Sequence, residues 1–153
     1  VAGEVLERNA GLIIQPLVLM QRPRDLRVLV THGAARAACW RIAAEGEFRS
    51  NVHLGAQTRS ASLTPYIAQL AEQAAAAIGL SHAGVDLLPT LEFEVNKSPP
   101  TGSLQILEVN GSPGLEGIER VSQRDLAELV LDDALQSYAQ HQAFRPARAT
   151  SSV

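Results

Sequence analysis

The chain has 153 residues, 46% hydrophobic and 4% aromatic, with a formal charge of −3, which suits one moderate core in a single globular unit. No apolar run nears the roughly 20 residues that span a bilayer, and Glu4, Glu7 and Arg8 interrupt any secretory leader. Dispersed arginines and sparse aromatics argue against a nucleic-acid surface, and a cytoplasmic location is expected. Cys39 is the single cysteine, so an internal disulfide and a cysteine-cluster zinc site are excluded, and its apolar neighbours predict a buried small side chain rather than a nucleophile.

In chain order, Val1–Asn9 reads as the later part of a helix closed by Asn9-Ala10-Gly11, followed by a strand at Leu12–Gln15. A start on Val1 rather than methionine suggests a piece of something longer. Asp25–Val30, the turn Thr31-His32-Gly33 and Ala34–Ile42 predict a β-hairpin. The polar, glycine-punctuated run from Ala43 to Gly55 predicts a functional loop. Thr64-Pro65 opens a helix as N-cap and first helical residue, with Ile67, Leu70, Ala71, Ala74 and Ile78 at helical spacing and Gly79 closing it. Strands Ala83–Leu88 and Leu104–Val109 flank a long connection, Pro89–Gly102, whose β-prone Leu91–Val95 and Ser98-Pro99-Pro100 break suggest a projecting hairpin arm. A last helix is predicted from about Asp125 to Gln142, with Ser122 and Asp125 spaced like a capping box, and residues 143–153 read as a flexible tail. The order of elements gives an α+β fold, a mainly antiparallel sheet with helices packed mainly on one face.

Three oxygen-bearing residues stand out. In a strand alternate side chains share a face, so Glu108 and Asn110 point the same way and Val109 the other. If Ala83–Leu88 is the neighbouring strand, about 4.8 Å away, Asp86 stands beside Glu108. Two close carboxylates on an apolar sheet repel, so either one takes a proton or a cation neutralises both, and Asp, Glu and Asn oxygens suit magnesium or manganese better than zinc. Solvated carboxylates are the plain alternative for these positions alone.

Several segments occur together in order: Asp25-Leu26-Arg27-Val28-Leu29-Val30; Arg41-Ile42-Ala43-Ala44-Glu45-Gly46-Glu47-Phe48-Arg49-Ser50-Asn51-Val52-His53; Ala83-Gly84-Val85-Asp86-Leu87-Leu88; and Leu107-Glu108-Val109-Asn110-Gly111-Ser112-Pro113-Gly114. Over roughly Leu12 to Tyr138 the chain closely resembles the C-terminal half of the ATP-grasp domain of RimK-type glutamate ligases. The resemblance implies an ATP-dependent ligase that joins a carboxylate to an amine through an acyl phosphate, with ATP and magnesium or manganese as cofactors. Its partners would be an amino acid, by family glutamate, and an amine or carboxylate acceptor in a peptide, protein or metabolite. By resemblance Asp86, Glu108 and Asn110 hold the metal, and Arg41 and Asn51 lie near the phosphates or acyl phosphate. Arg49 and Ser50 meet the substrate, with Arg41 and Arg49 as the catalytic arginines, and backbone near Gln15 and Leu17 meets the nucleotide.

Other residues have plainer readings. Asp25 and Arg27 are left unassigned, His53 orients its loop, Gly111, Pro113 and Gly114 serve a turn, and Glu116 and Glu119 cap or solvate. The chain departs from the family at Pro16, where an acidic residue is usual, at Leu54-Gly55-Ala56 in place of Arg-Gly-Gly, and in the length of the 89–102 connection. The first ATP-grasp half, with its glycine-rich loop and phosphate-binding lysines, has no counterpart, and Lys97 is the single lysine. Residues 1–142 are therefore expected to be one part of a larger site, with homo-oligomerisation left open. A degenerate, non-catalytic nucleotide or metal-binding module is the alternative. A metal-dependent hydrolase is weaker, since no base adjoins the cluster.

Overall fold

The computed structural model describes residues 18, 20–47, 50 and 55–143, with side chains as far as 140. The expected first helix, the strand at Leu12–Gln15 and the tail from Phe144 lie outside the described residues. Strands β1 (Arg24–Thr31) and β2 (Ala34–Ile42) form the expected hairpin. Its two-residue turn has positive φ at both His32 (51°) and Gly33 (72°), the twist that matches antiparallel strands. Strand β3 (Gln57–Ser60) pairs with the outer side of β2. Strand β4 (Ala83–Pro89) pairs with the free side of β1, and β5 (Leu104–Asn110) with β4. Every pairing is antiparallel, in the order β3-β2-β1-β4-β5.

Strand alternation sorts the side chains onto two faces. Leu26, Val28 and Val30, Ala38, Trp40 and Ile42, and Ala83, Val85 and Leu87 form the main core with Ile67, Ala71, Ala74 and Ala75 of α1 (Pro65–Ala77). The small alanines let α1 lie close on the sheet. Thr64 caps its start by accepting from the Ile67 amide at 3.4 Å, and Gly79, at φ 74°, turns the chain out of it.

Part of the opposite face is apolar as well. Leu29, Ala37 and Cys39 pack against Ile118 of α2 (Glu116–Ser122) and Leu126 of α3 (Leu126–Ala143), so the helix cover is divided between the two faces. Ser122 does not take part in a capping box for the last helix: it ends α2, its hydroxyl donating to the Glu119 carbonyl at 3.5 Å. The start of α3 is held instead by Asp125, which accepts from the Glu128 amide at 2.8 Å, and by Glu119 Oε1, which accepts from the amides of Leu126 and Ala127 at 2.9 Å each. An Arg36–Asp133 ion pair at 3.2 Å ties α3 to β2. No helix among the described residues is long and apolar enough to cross a membrane.

The connection between β4 and β5 is not a projecting hairpin arm. It holds no strand, and its neck is closed by the Thr90 amide donating to the Ser103 carbonyl at 2.8 Å. Phe93 and Val95 pack against the main core. The Phe93 ring meets Trp40 edge-on at 5.6 Å and lies 5.2 Å beneath the Arg24 guanidinium, whose Nη2 donates to the Phe93 carbonyl at 2.6 Å. The apolar residues that look β-prone in sequence therefore serve as anchors that fold the segment back. Replacing Phe93 with alanine is expected to cost about 2 kcal/mol, read as a lower urea midpoint with an unchanged slope.

Candidate functional site

The hairpin and β4 bring two carboxylates and two guanidiniums together on the face opposite α1. On β1 and β2, Asp25 is paired in register with Arg41, and across β1, β4 and β5 the register aligns Arg27, Asp86 and Glu108 in one row. Arg41 gives Nε and Nη2 to the two oxygens of Asp25, at 2.6 and 2.8 Å, and the same Nη2 reaches Asp86 Oδ2 at 2.6 Å. Arg27 grips Asp86 with its own fork, Nε to Oδ1 and Nη2 to Oδ2, both at 2.8 Å. The charges alternate along Asp25–Arg41–Asp86–Arg27 and sum to zero. They need to, because Asp25, Arg41 and Asp86 are only 5%, 8% and 2% exposed, and a buried charge without a partner is costly.

Burial pushes the Asp25 carboxyl up to about 6 in spite of the two bonds from Arg41. Burial also works against the charge on Arg41, but Asp25 and Asp86 together outweigh it and hold the guanidinium protonated above its ordinary range. Cys39, 1% exposed, has its thiol pushed up to about 11 by burial, which fits the small apolar role expected of it and not a nucleophile.

On the edge strand Glu108 is exposed and makes no hydrogen bond or ion pair with the described residues. Asn110 is half-buried, and its Oδ1 accepts from the Ser112 amide at 2.8 Å, starting the turn Gly111-Ser112-Pro113-Gly114. That turn folds onto β4 at Gly84, where a Cβ would stand 2.7 Å from Pro113 Cβ. Gly111 and Gly114 are read from sequence as turn residues; the tightest approach is at Gly84, and the small residue two before Asp86 was its signal.

The donors fit a hard divalent cation in kind. Among the described residues no three His, Cys, Asp or Glu side chains gather as a metal cluster. What the register assembles is two carboxylates and an amide, a sparse oxygen set of the kind magnesium uses when water and phosphate complete its shell. Glu108 has both oxygens free of described partners, Asn110 keeps a second lone pair, and Asp86 accepts three N–H bonds of the roughly four a carboxylate can take.

Of the other expected site residues, Ser50 is buried at 8% exposure. Gln15, Leu17, Arg49 and Asn51 lie outside the described residues, as do Pro16, His53 and Leu54. Asp25 and Arg27, left unassigned from sequence, turn out to bracket the expected site residues Arg41 and Asp86. Their one signal was parity: two residues apart on one strand, they share a face.

Arg41→Met is expected to destabilise the fold by about 3–5 kcal/mol, because it strands two buried carboxylates, and adding Asp25→Asn should restore part of the loss in a urea titration. Gly84→Ala is expected to cost about 1–3 kcal/mol in the same assay by forcing Pro113 and its turn away from β4.

Comparison with known proteins bears on this geometry. The family model of the RimK-like ATP-grasp domain matches residues 2–133. A probable alpha-L-glutamate ligase of Citrobacter koseri is 40% identical over 119 residues, covering 78% of this chain and 36% of that protein. Probable alpha-L-glutamate ligases of Coxiella burnetii (strain Dugway 5J108-111) and Rhodopirellula baltica are 38% and 40% identical, covering 81% and 80% of this chain and 38% and 28% of their own lengths. The chain thus spans little more than a third of these relatives at most. Among solved structures, the ATP-grasp ligase PsnB complexed with a phosphomimetic variant of its minimal precursor, Mg and ADP superposes with a TM-score of 0.54 at 19% identity, over 77% of this chain and 33% of that one. That likeness is one of fold.

Proposed function

Because the chain belongs to the RimK-like ATP-grasp family, we propose that it supplies the magnesium and phosphate half of an ATP-dependent carboxylate–amine ligase, with glutamate as the amino acid. The observation that carries this reading is the row of Asp86 and Glu108, with Asn110 two residues further on the same face, beside one buried guanidinium, Arg41, and one half-buried, Arg27. In the proposed reaction a carboxylate oxygen attacks the terminal phosphorus of ATP and ADP leaves. The amine then attacks the acyl carbon and phosphate departs, so positioning and charge neutralisation are the main tasks. Asp86, Glu108 and Asn110 would hold the magnesium, which when bound neutralises charge on the ATP phosphates. Arg41, kept protonated by its carboxylate neighbours, holds a fixed positive charge beside the metal ligands. Arg49 and Ser50 are assigned to the substrate, Asn51 to the phosphates, and the backbone near Gln15 and Leu17 to the nucleotide.

Residues 1–142 are read as the second half of an ATP-grasp site whose first half brings the phosphate-binding lysines, in a protein working in the cytoplasm. Lys97 does not replace them. It is 69% exposed, pairs with Glu94 at 3.2 Å, and sits in the connection between β4 and β5. A degenerate binding module remains a second reading, favoured by the engagement of both Asp86 oxygens with arginine. The test uses the protein extended upstream through the first ATP-grasp half, with magnesium, glutamate and a panel of acceptor acids. Amino-acid-dependent ADP release is expected, falling about a hundredfold or more in Asp86→Asn. Equal background release in both proteins would indicate the binding module.

A further inference from the structure

The two arginines on Asp86 are not held alike. Arg41 is shared between Asp25 and Asp86 and buried, whereas Arg27 gives both its carboxylate bonds to Asp86 alone, and its side chain is 17% exposed. The register sets Arg27, Asp86 and Glu108 side by side, with Glu108 lacking any described partner. Asp86 therefore receives three N–H bonds, all from cations, on the side of the sheet where a metal would have to reach it. A divalent cation bridging Glu108 and Asp86 finds one uncommitted lone pair, on the Oδ1 that Arg27 Nε already holds, and its charge repels the guanidinium that shares that oxygen. Arg41 stays anchored by Asp25 in that exchange; Arg27 has no such second carboxylate among the described residues.

Resting on the metal-site reading above, we propose that Arg27 and a divalent cation compete for Asp86, so that loading the cation releases the Arg27 fork to clamp an oxyanion at the site. The fork fits two oxygens of either a carboxylate or a phosphoryl group. Arg27 is thus a binding residue whose availability is set by the metal. The two occupancies of Asp86 are linked by a coupling free energy, and removing one partner strengthens the other.

The experiment titrates Mn²⁺ into the intact chain and reads the free ion by electron paramagnetic resonance, for the wild type, Arg27→Met, Arg27→Lys and Asp86→Asn. The expected result is loss of binding in Asp86→Asn and a Kd lowered about fivefold or more in Arg27→Met. Arg27→Lys, which keeps the charge and loses the fork, should also bind more tightly. A gain confined to Arg27→Met is an effect of charge alone and overturns the competition, as does unchanged or weaker binding in both Arg27 variants while Asp86→Asn still abolishes it. Binding that survives in Asp86→Asn overturns the metal-site reading instead. At saturating Mn²⁺, L-glutamate and inorganic phosphate are then titrated into wild type and Arg27→Lys. Weaker glutamate binding in the variant identifies a carboxylate as the clamped group, weaker phosphate binding identifies a phosphoryl group, and no change in either overturns the clamp.

Discussion

Everything on the functional face depends on burying charge without leaving any of it alone. Two carboxylates and two guanidiniums from three adjacent strands pair so that the interior ones, Arg41 and Asp86, each have two partners. Such a network adds little net stability compared with an apolar core of the same shape, since desolvation offsets most of the attraction. What it adds is register. A slip of one residue between β1 and β2, or between β1 and β4, would turn these groups toward α1 and the apolar residues toward the site, and both changes are prohibitive.

The opposite face is tied to the same residues at a distance of one. Arg24 and Asp25 are sequence neighbours on β1, as are Trp40 and Arg41 on β2. Alternation sends the first of each pair toward Phe93 and the second into the charge network. The aromatic packing that folds the β4–β5 connection back and the ion pairs of the site are therefore built on the same two short stretches of strand, and the stiffness of one supports the geometry of the other.

Much of this was legible in the sequence where a signal is local. Thr64-Pro65 and Gly79 marked α1, His32-Gly33 marked the hairpin, and β-prone runs at Ala83 and Leu104 placed Asp86 beside Glu108 by ordinary sheet spacing. What escaped depends on which strands become neighbours. That β1 lies between β2 and β4, so that Arg41 and Arg27 converge on Asp86 from sites 45 and 59 residues away, is a property of topology and not of any window of sequence. The seven-residue α2 escaped for another reason: it has under two turns in which to show a period, and Leu115 at its start offers no side-chain cap.

The register shift in β5 resolves an apparent contradiction in that strand. Leu104, Ile106, Glu108 and Asn110 have the same parity, so in a regular strand all four would share a face, putting buried Leu104 and half-exposed Ile106 on the same side as the candidate ligands. The bulge opposite Asp86 and Leu87 accommodates Leu107 as one residue too many, so Ile106 is matched with the core residue Leu87 while Glu108 is matched with Asp86. Leu107 acts as a phase shifter: before it the even residues belong to the helix side, after it to the charged side. The second carboxylate of the site is thus placed by chain length as much as by chemistry, and the same seven letters threaded without the bulge would aim Glu108 into the hydrocarbon beneath α1.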